Sequence, residues 1–276
     1  MILVTGAMGN VGAEVVRALV ADGEPVRALV RNPETASLPD GVEPVAGDLN
    51  RPESMTAALD GARAVFLLPG YADMPGLVAE ARRAGVERVV LLSGGSAGSG
   101  DMTNAVTRFM VASESAVRES GLPWTFLRPS AFMSNALRWA PQIRSGDRVR
   151  VPFPDVQTAS VDPHDIGAVA ARALLSDDYR GEILQPTGPV AMPPADQVAV
   201  LAKALGRDLE FVGLTNEEAR ADLLATTPAE YVDAFFDFYV NGTLDESIVR
   251  STVRDVTGRA PRTFEQWAQA HADDFR

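Results

Sequence analysis

The sequence has no cysteine in its 276 residues, which removes disulfides, thiolate nucleophiles and cysteine-ligated metals from consideration. Histidine is almost as scarce: His164 and His271 stand far apart in the chain, so no metal site is expected. Lysine occurs once, at Lys203, beside 24 arginines. It falls in "PPADQVAVLAKALG", a helical stretch already explained by the apolar face Val198, Val200, Leu201 and Leu205, which argues against Schiff-base chemistry. No apolar run approaches the roughly 20 residues a membrane span needs, and the strand at Met1 leaves no room for a leader peptide. A cytoplasmic protein without membrane contact is therefore expected. A net charge of −12 without a basic run argues against nucleic acid as a partner.

What the sequence does have is glycine in a particular place. Met1 to Val4 is apolar, "GAMGNVG" places Gly6, Gly9 and Gly12 three apart, and Val11, Val15, Val16, Leu19 and Val20 then recur at helical spacing. This reads as strand, tight turn, helix. In such a turn the first glycine permits the bend, the second lets backbone approach a pyrophosphate, and the third lets helix pack on strand. Phosphates would then rest on the free N–H groups of Met8, Asn10, Val11 and their neighbours at the positive end of the helix.

The rest of the first half alternates. Strands are expected at "PVRALV", "VEPVAGDL", "AVFLLPG", "VERVVLLSGG" and "PWTFLRP", and helices at "PESMTAALDG", "MPGLVAEARRAG" and "NAVTRFMVASESAVRESG". Strands alternating with helices specify an α/β fold, a Rossmann-type doubly wound parallel sheet with a smaller, mainly helical C-terminal lobe. The dinucleotide-binding domain is placed at residues 1–155, and the helix at 160–176 packs back onto it. Residues 177–276 form the smaller substrate lobe, with 130–158 contributing to the cleft. "SNALRWAPQIRSG" reads as helical and "RVRVPFPDVQTAS" as irregular or stranded. "DPHDIGAVAARALLS" reads as a helix with Asp162 or Asp165 near its start, where a carboxylate suits the dipole. His164 lies at that same helix start, where a polar residue commonly serves the turn.

The end of the second strand discriminates between cofactors. An NAD site places a carboxylate there and an NADP site an arginine; this chain has Arg31, and no acid before Glu34. A guanidinium can grip a 2′-phosphate through two parallel bonds, with Arg27 assisting if it points the same way. NADP(H) is therefore the expected cofactor, although Arg31 could be a plain surface charge. Asp48 and Leu49 at the end of the third strand can take the adenine amino group and ring, or Asp48 can cap the following helix. Leu68 and Pro69 can wall the nicotinamide ribose or simply end the fourth strand. Ser93 and Pro129, at the ends of the fifth and sixth strands, complete the cofactor candidates.

With "TGAMGNVG", "VRALVRNP", "GDL", "GVERVVLLS" and "SGLPWTFLRP" in this order, the chain resembles the NmrA-like group of atypical short-chain dehydrogenase/reductases. The resemblance implies an NADP(H)-binding Rossmann domain and a small substrate lobe. It also implies membership of a set that includes quinone and azo-dye reductases and non-catalytic redox sensors bound to regulatory proteins. The expected activity is hydride transfer to a small conjugated or aromatic carbonyl compound such as a quinone. The alternative is a sensor acting through a regulatory protein partner; a homodimer is also compatible with the sequence. The chain departs from the wider family at one place. Typical members carry Tyr-x-x-x-Lys on the helix before the sixth strand, whereas here the matching positions are Val106 and Met110, so the usual acid is absent. Candidates for the missing chemistry are Ser93, Tyr71 and Asn135, with Ser130 beside them; each has an ordinary structural role open to it. The loop "SGGSAGSGD" is flexible by composition and placed to act as a lid. In "EYVDAFFDFYVNG" the aromatics Tyr231, Phe235 and Tyr239 fall at i, i+4 and i+8, with Phe236 and Phe238 beside them. They can form core, or some can line a pocket or a subunit contact.

Overall fold

The computed structural model describes residues 1–276. Nine strands form: β1 (Ile2–Val4), β2 (Val26–Val30), β3 (Glu43–Ala46), β4 (Ala64–Leu67), β5 (Arg88–Leu92), β6 (Trp124–Leu127), β7 (Arg148–Val151), β8 (Ile183–Leu184) and β9 (Glu210–Gly213). The helices are α1 (Asn10–Ala21), α2 (Thr56–Leu59), α3 (Met74–Arg83), α4 (Ala105–Glu119), α5 (Ala140–Ser145) and α6 (Pro163–Leu175), then α7 (Pro194–Leu205), α8 (Asn216–Leu224), α9 (Ala229–Tyr239), α10 (Thr252–Thr257) and α11 (Phe264–Ala270). Seven strands make one sheet in the order β3-β2-β1-β4-β5-β6-β8, every pair parallel. The order reverses between β1 and β4, and in open sheets of this kind ligands bind outside the carboxyl ends of the strands at that reversal.

Strand residues alternate between two cores, as the pleat requires. Ile2, Val4, Ala28, Val30 and Phe66 face α1 and α6, while Leu3, Leu29, Val65 and Leu67 face α3 and its neighbours. With apolar residues on both faces, the central strands β1 and β4 read as continuous hydrophobic runs, while the edge strand β3 is mostly exposed. Helix α6 lies tightly on α1: a Cβ at Gly167 would come within 2.6 Å of the Glu14 Cβ. Asp162 caps α6 through the His164 N–H at 2.9 Å, and the buried Asp165 accepts from the guanidinium of Arg259 and the backbone N–H of Arg262, each at 2.7 Å.

The second half holds what the sequence pattern did not show. Strand β8 joins the large sheet beside β6, and Val253 of α10 packs with α1 and α6, so two pieces of the expected lobe 177–276 return to the main core. The lobe has a core of its own, in which Val149 and Val151 of β7, Val198 and Leu201 of α7 and Trp267 of α11 meet, with β7 and β9 pairing as a two-stranded parallel sheet. "SNALRWAPQIRSG" begins as a 3-10 helix, Met133–Trp139, and only then becomes α5. No helix is long and apolar enough to cross a membrane.

Candidate cofactor and active site

The glycine turn leaves β1 with Gly6 at φ 62°, a left-handed conformation that glycine adopts without strain. The three glycines do different jobs. A Cβ at Gly12 would meet the Gly6 carbonyl oxygen at 2.1 Å, so this glycine is demanded by the packing of helix on turn. A Cβ at Gly6 would strike the Leu68 side chain at 2.4 Å. At Gly9 the same atom meets only the Gly6 oxygen, at 3.3 Å, and the backbone is ordinary extended chain at φ −91°. A shift of a few tenths of an ångström in the turn would admit a Cβ at position 9, far less than position 12 demands, and Gly9 lies on the wall of the cleft. Gly9 caps α1 with no side-chain bond, and the N–H groups of Asn10, Val11 and Gly12 find no acceptor in the protein. An anionic group is what unsatisfied amides at the positive end of a 12-residue helix attract.

These groups line a cleft of about 890 Å³. Its walls include Gly6, Met8, Gly9, Asn10, Val11, Gly12, Arg31, Asp48, Leu49 and Leu68, ten of the expected cofactor residues, together with Tyr71. Ala7, Asn32, Thr35, Gly47, Asn50, Leu92 and Phe132, which no sequence motif marks, also line it. Nor does a motif mark Thr5, whose hydroxyl accepts from the Leu68 N–H at 3.1 Å and ties β1 to β4 at the point where the strand order reverses.

At the β2–β3 end, Arg31 is exposed and pairs with no carboxylate. Arg27 does not point the same way: its guanidinium donates to the carbonyls of Ala58 at 3.0 Å and Asp60 at 2.6 Å and meets Glu43 at 3.1 Å, so it clamps β2 and β3 to α2. Asp48 takes the backbone and side-chain N–H groups of Asn50 on Oδ1, both at 2.9 Å, and these bonds hold its carboxyl below the usual range. Burial, followed by the negative charge of Asp48, pushes the Tyr71 phenol up. Tyr71 thus belongs to the corner occupied by Asp48 and Arg31.

At the other end, Leu68, Leu92 and Phe132 form apolar walls. Pro69, Ser93 and Pro129 lie outside the lining, the last two buried. Ser93 is 3% exposed, and its hydroxyl donates to Glu114 at 2.7 Å. Glu114 is in turn held by Arg128 through two bonds, at 2.8 and 2.6 Å, a buried bidentate pair beneath the β5 and β6 ends. Ser130 donates to the Ala159 carbonyl. The loop after β5 is not loose throughout: Gly95–Gly98 is a 3-10 turn with Ser96 and Ala97 buried. On α4, Met110 sits against Gly94 and Val106 is half-buried, so no acid occupies the positions where a tyrosine and a lysine would stand. Asn135 is exposed, while Asn10 reaches Ser134 at 3.3 Å and joins the glycine turn to the chain after β6. His164 faces Glu14 at 3.3 Å, and Lys203 is exposed on α7. Of the aromatic cluster on α9 only Phe238 is buried; Tyr231, Phe235, Phe236 and Tyr239 stay partly open.

A parallel sheet with this strand order, a glycine turn with free amides and a cleft at the strand reversal define a dinucleotide-binding Rossmann protein. The profile of a family described as NAD(P)H-binding matches residues 6–177. The chain is 41% identical over 280 residues to a (4-alkanoyl-5-oxo-2,5-dihydrofuran-3-yl)methyl phosphate reductase of Streptomyces griseus, covering 100% of this chain and 99% of the relative. It is 36% identical over 284 residues to an NAD(P)H azoreductase of Xenophilus azovorans, again covering 100% of this chain and 99% of the relative. Among solved structures, an NADPH-dependent quinone oxidoreductase of Escherichia coli has the same fold, with a TM-score of 0.81 at 22% identity over 98% of this chain and 99% of the other. The chain belongs to the NAD(P)H-binding family.

Proposed function

We propose that the protein is an NADP(H)-dependent reductase that delivers hydride to a small conjugated molecule such as a quinone, an enone or an azo compound. One observation carries the cofactor half of this reading: free helix amides, a glycine turn and an unpaired arginine line the same cleft. The amides of Asn10, Val11 and Gly12 would hold the pyrophosphate, Asp48 and Leu49 the adenine, and Arg31 the 2′-phosphate that distinguishes NADP(H). Tyr71 then serves as part of the adenosine wall. Reduced nicotinamide, when bound, supplies a hydride. The chain's own contribution is to orient the ring against Leu68, Leu92 and Phe132 and to keep water from it.

The lack of an acid on α4 points to the substrate class. A simple ketone needs a proton as the hydride arrives, whereas a quinone, an enone or an azo group spreads the developing charge by conjugation and can take its proton from solvent. The two reductase relatives are named for substrates of this conjugated kind, an oxo-dihydrofuran bearing a methyl phosphate and azo compounds. A non-catalytic sensor is the second reading, favoured by the Ser93 hydroxyl, which is engaged by Glu114 rather than free at the strand end. Steady NADPH oxidation measured across quinones, enones and azo dyes separates the two. Turnover of any conjugated class supports the reductase, and tight NADPH binding with no turnover across the panel supports the sensor.

A further inference from the structure

One polar side chain in the cofactor cleft is tied to the chain that follows β6. Asn10, the first residue of α1, is exposed and lines the cleft beside the unpaired backbone N–H groups of its own helix end. Its side-chain nitrogen donates to the Ser134 hydroxyl at 3.3 Å, a bond between residues 124 positions apart. A carboxamide carries two N–H donors and one acceptor oxygen. With one donor used on Ser134, the other donor and the oxygen have no partner in the protein.

Ser134 is a firm anchor for that amide. It is 7% exposed and lies in the 3-10 helix Met133–Trp139, whose Met133 and Ala136 pack in the core of the lobe with Ile143 and Trp267. The Met133 N–H donates to the Val161 carbonyl at 2.9 Å and pins the start of the segment. The seat of α1 does not rest on the Asn10 bond, because the buried Val11, Val15, Val16 and Leu19 already fix the helix. Nor is asparagine the residue that serves a bare helix start best. An acid there suits the helix dipole, yet the first turn of α1 carries none. A neutral donor is compatible with an anionic ligand where an acid is not. Ser134 also gives the amide a direction: it follows two residues after Phe132, which walls the apolar end of the cleft, whereas Arg31 and Asp48 stand at the opposite end.

We infer that the Asn10 carboxamide is a ligand of the pyrophosphate on its nicotinamide side, donating its second N–H to that phosphate, and that Ser134 is the positioning residue that aims it. The inference rests on the NADP(H) reading above. It adds a side-chain contact that discriminates between the two phosphates, where the backbone amides of the turn serve the pyrophosphate as a whole.

Calorimetry with three ligands tests it without turnover: NADP⁺, 2′-phospho-ADP-ribose, and adenosine 2′,5′-bisphosphate, which keeps the adenine-side phosphate and lacks the other. Asn10→Ala should weaken NADP⁺ and 2′-phospho-ADP-ribose about tenfold, the value of one hydrogen bond to a charged group, and leave adenosine 2′,5′-bisphosphate unchanged. Asn10→Asp should weaken the first two further still, since its carboxylate repels the phosphate, while urea melts show a protein at least as stable as wild type. Those opposite signs separate ligand binding from a structural role. Ser134→Ala should give the same selective loss in smaller measure, and adding it to Asn10→Ala should weaken binding no further, because it acts through Asn10. Wild-type affinity for NADP⁺ in Asn10→Ala, equal losses for all three ligands, or a Ser134→Ala loss that adds to that of Asn10→Ala overturns the assignment. Failure of the NADP(H) reading itself shows separately, as wild-type protein that binds neither NADP⁺ nor adenosine 2′,5′-bisphosphate.

Discussion

Gly9→Val should leave the protein folded and remove its dinucleotide, whereas Gly12→Ala, a smaller change, should damage the fold. At Gly12 the new methyl would lie 2.1 Å from the Gly6 carbonyl oxygen, 2.6 Å from its carbon and 3.0 Å from the Thr5 oxygen, all of them backbone. That is more than about 1 Å short of a favourable contact, and the turn must open to relieve it. Overpacking of this kind costs about 1–3 kcal/mol, against which the better helix propensity of alanine returns at most about 1. At Gly9 the corresponding atom meets a single backbone oxygen at 3.3 Å, which a shift of a few tenths of an ångström relieves, and the backbone angles suit any residue, so even with the poorer N-cap the loss of stability should stay below about 1–2 kcal/mol and leave the protein folded. The valine methyls would instead occupy the phosphate site. Loss of even one charge-assisted contact, about 1.5–3 kcal/mol, weakens binding roughly ten- to more than a hundred-fold. Urea denaturation and calorimetric titration with NADPH on both variants give the two numbers. A folded Gly9→Val protein that binds NADPH as wild type does would refute the phosphate cradle, and a Gly12→Ala protein as stable as wild type would refute the packing argument.

Further outcomes follow from other parts of the structure. Arg31→Ala should weaken NADPH by roughly ten- to more than a hundred-fold and NADH much less, because only NADPH carries the 2′-phosphate; equal loss for both cofactors in titration would make Arg31 a structural charge. Glu114→Ala leaves the Arg128 guanidinium buried without its bidentate partner, which costs about 3–5 kcal/mol; a urea-measured loss below about 1 kcal/mol would contradict that. Burial raises the Glu14 carboxyl, but the His164 hydrogen bond and the Arg17 charge outweigh it and hold the folded pKa below the ordinary 4.5. A depressed acid stabilises the fold above its unfolded pKa, and the contribution is lost as pH falls through the folded value. Glu14→Gln should therefore flatten the acid limb of the stability curve by no more than about 1 kcal/mol, the half-open site limiting the effect. An unchanged acid limb in urea melts from pH 3 to 6 would count against the Glu14–His164 contact.

Much of the dinucleotide half could be read from local pattern. Runs such as "RVVLL" and the spacing of Val11, Val15 and Leu19 identified strands and helices because both faces of the sheet are covered, and the glycine turn and Arg31 sit at fixed offsets from those elements. Strand β8 escaped because two residues carry no periodicity, and the β7–β9 pair because it joins segments about sixty residues apart. Ser93 could be found by its place at the end of β5, but not its occupation by Glu114, which comes from a residue 21 positions later on another element. Arg27 and Arg31 look alike as letters; only the carbonyls of α2 show that one is a clamp and the other free.

If hydride passes from bound NADPH to a conjugated small molecule, an isotope at C4 of the nicotinamide must pass with it. Wild-type protein is incubated with NADPH deuterated at the transferable C4 position and with a quinone, an enone and an azo dye, and each product is examined by mass spectrometry and NMR. NADPH should be consumed with at least one of these classes, that reaction should show a primary isotope effect, and deuterium should be retained at carbon in the enone product if the enone is reduced. NADPH bound tightly in the cleft with no substrate-dependent oxidation, or oxidation that proceeds equally in the Gly9→Val protein, would contradict it.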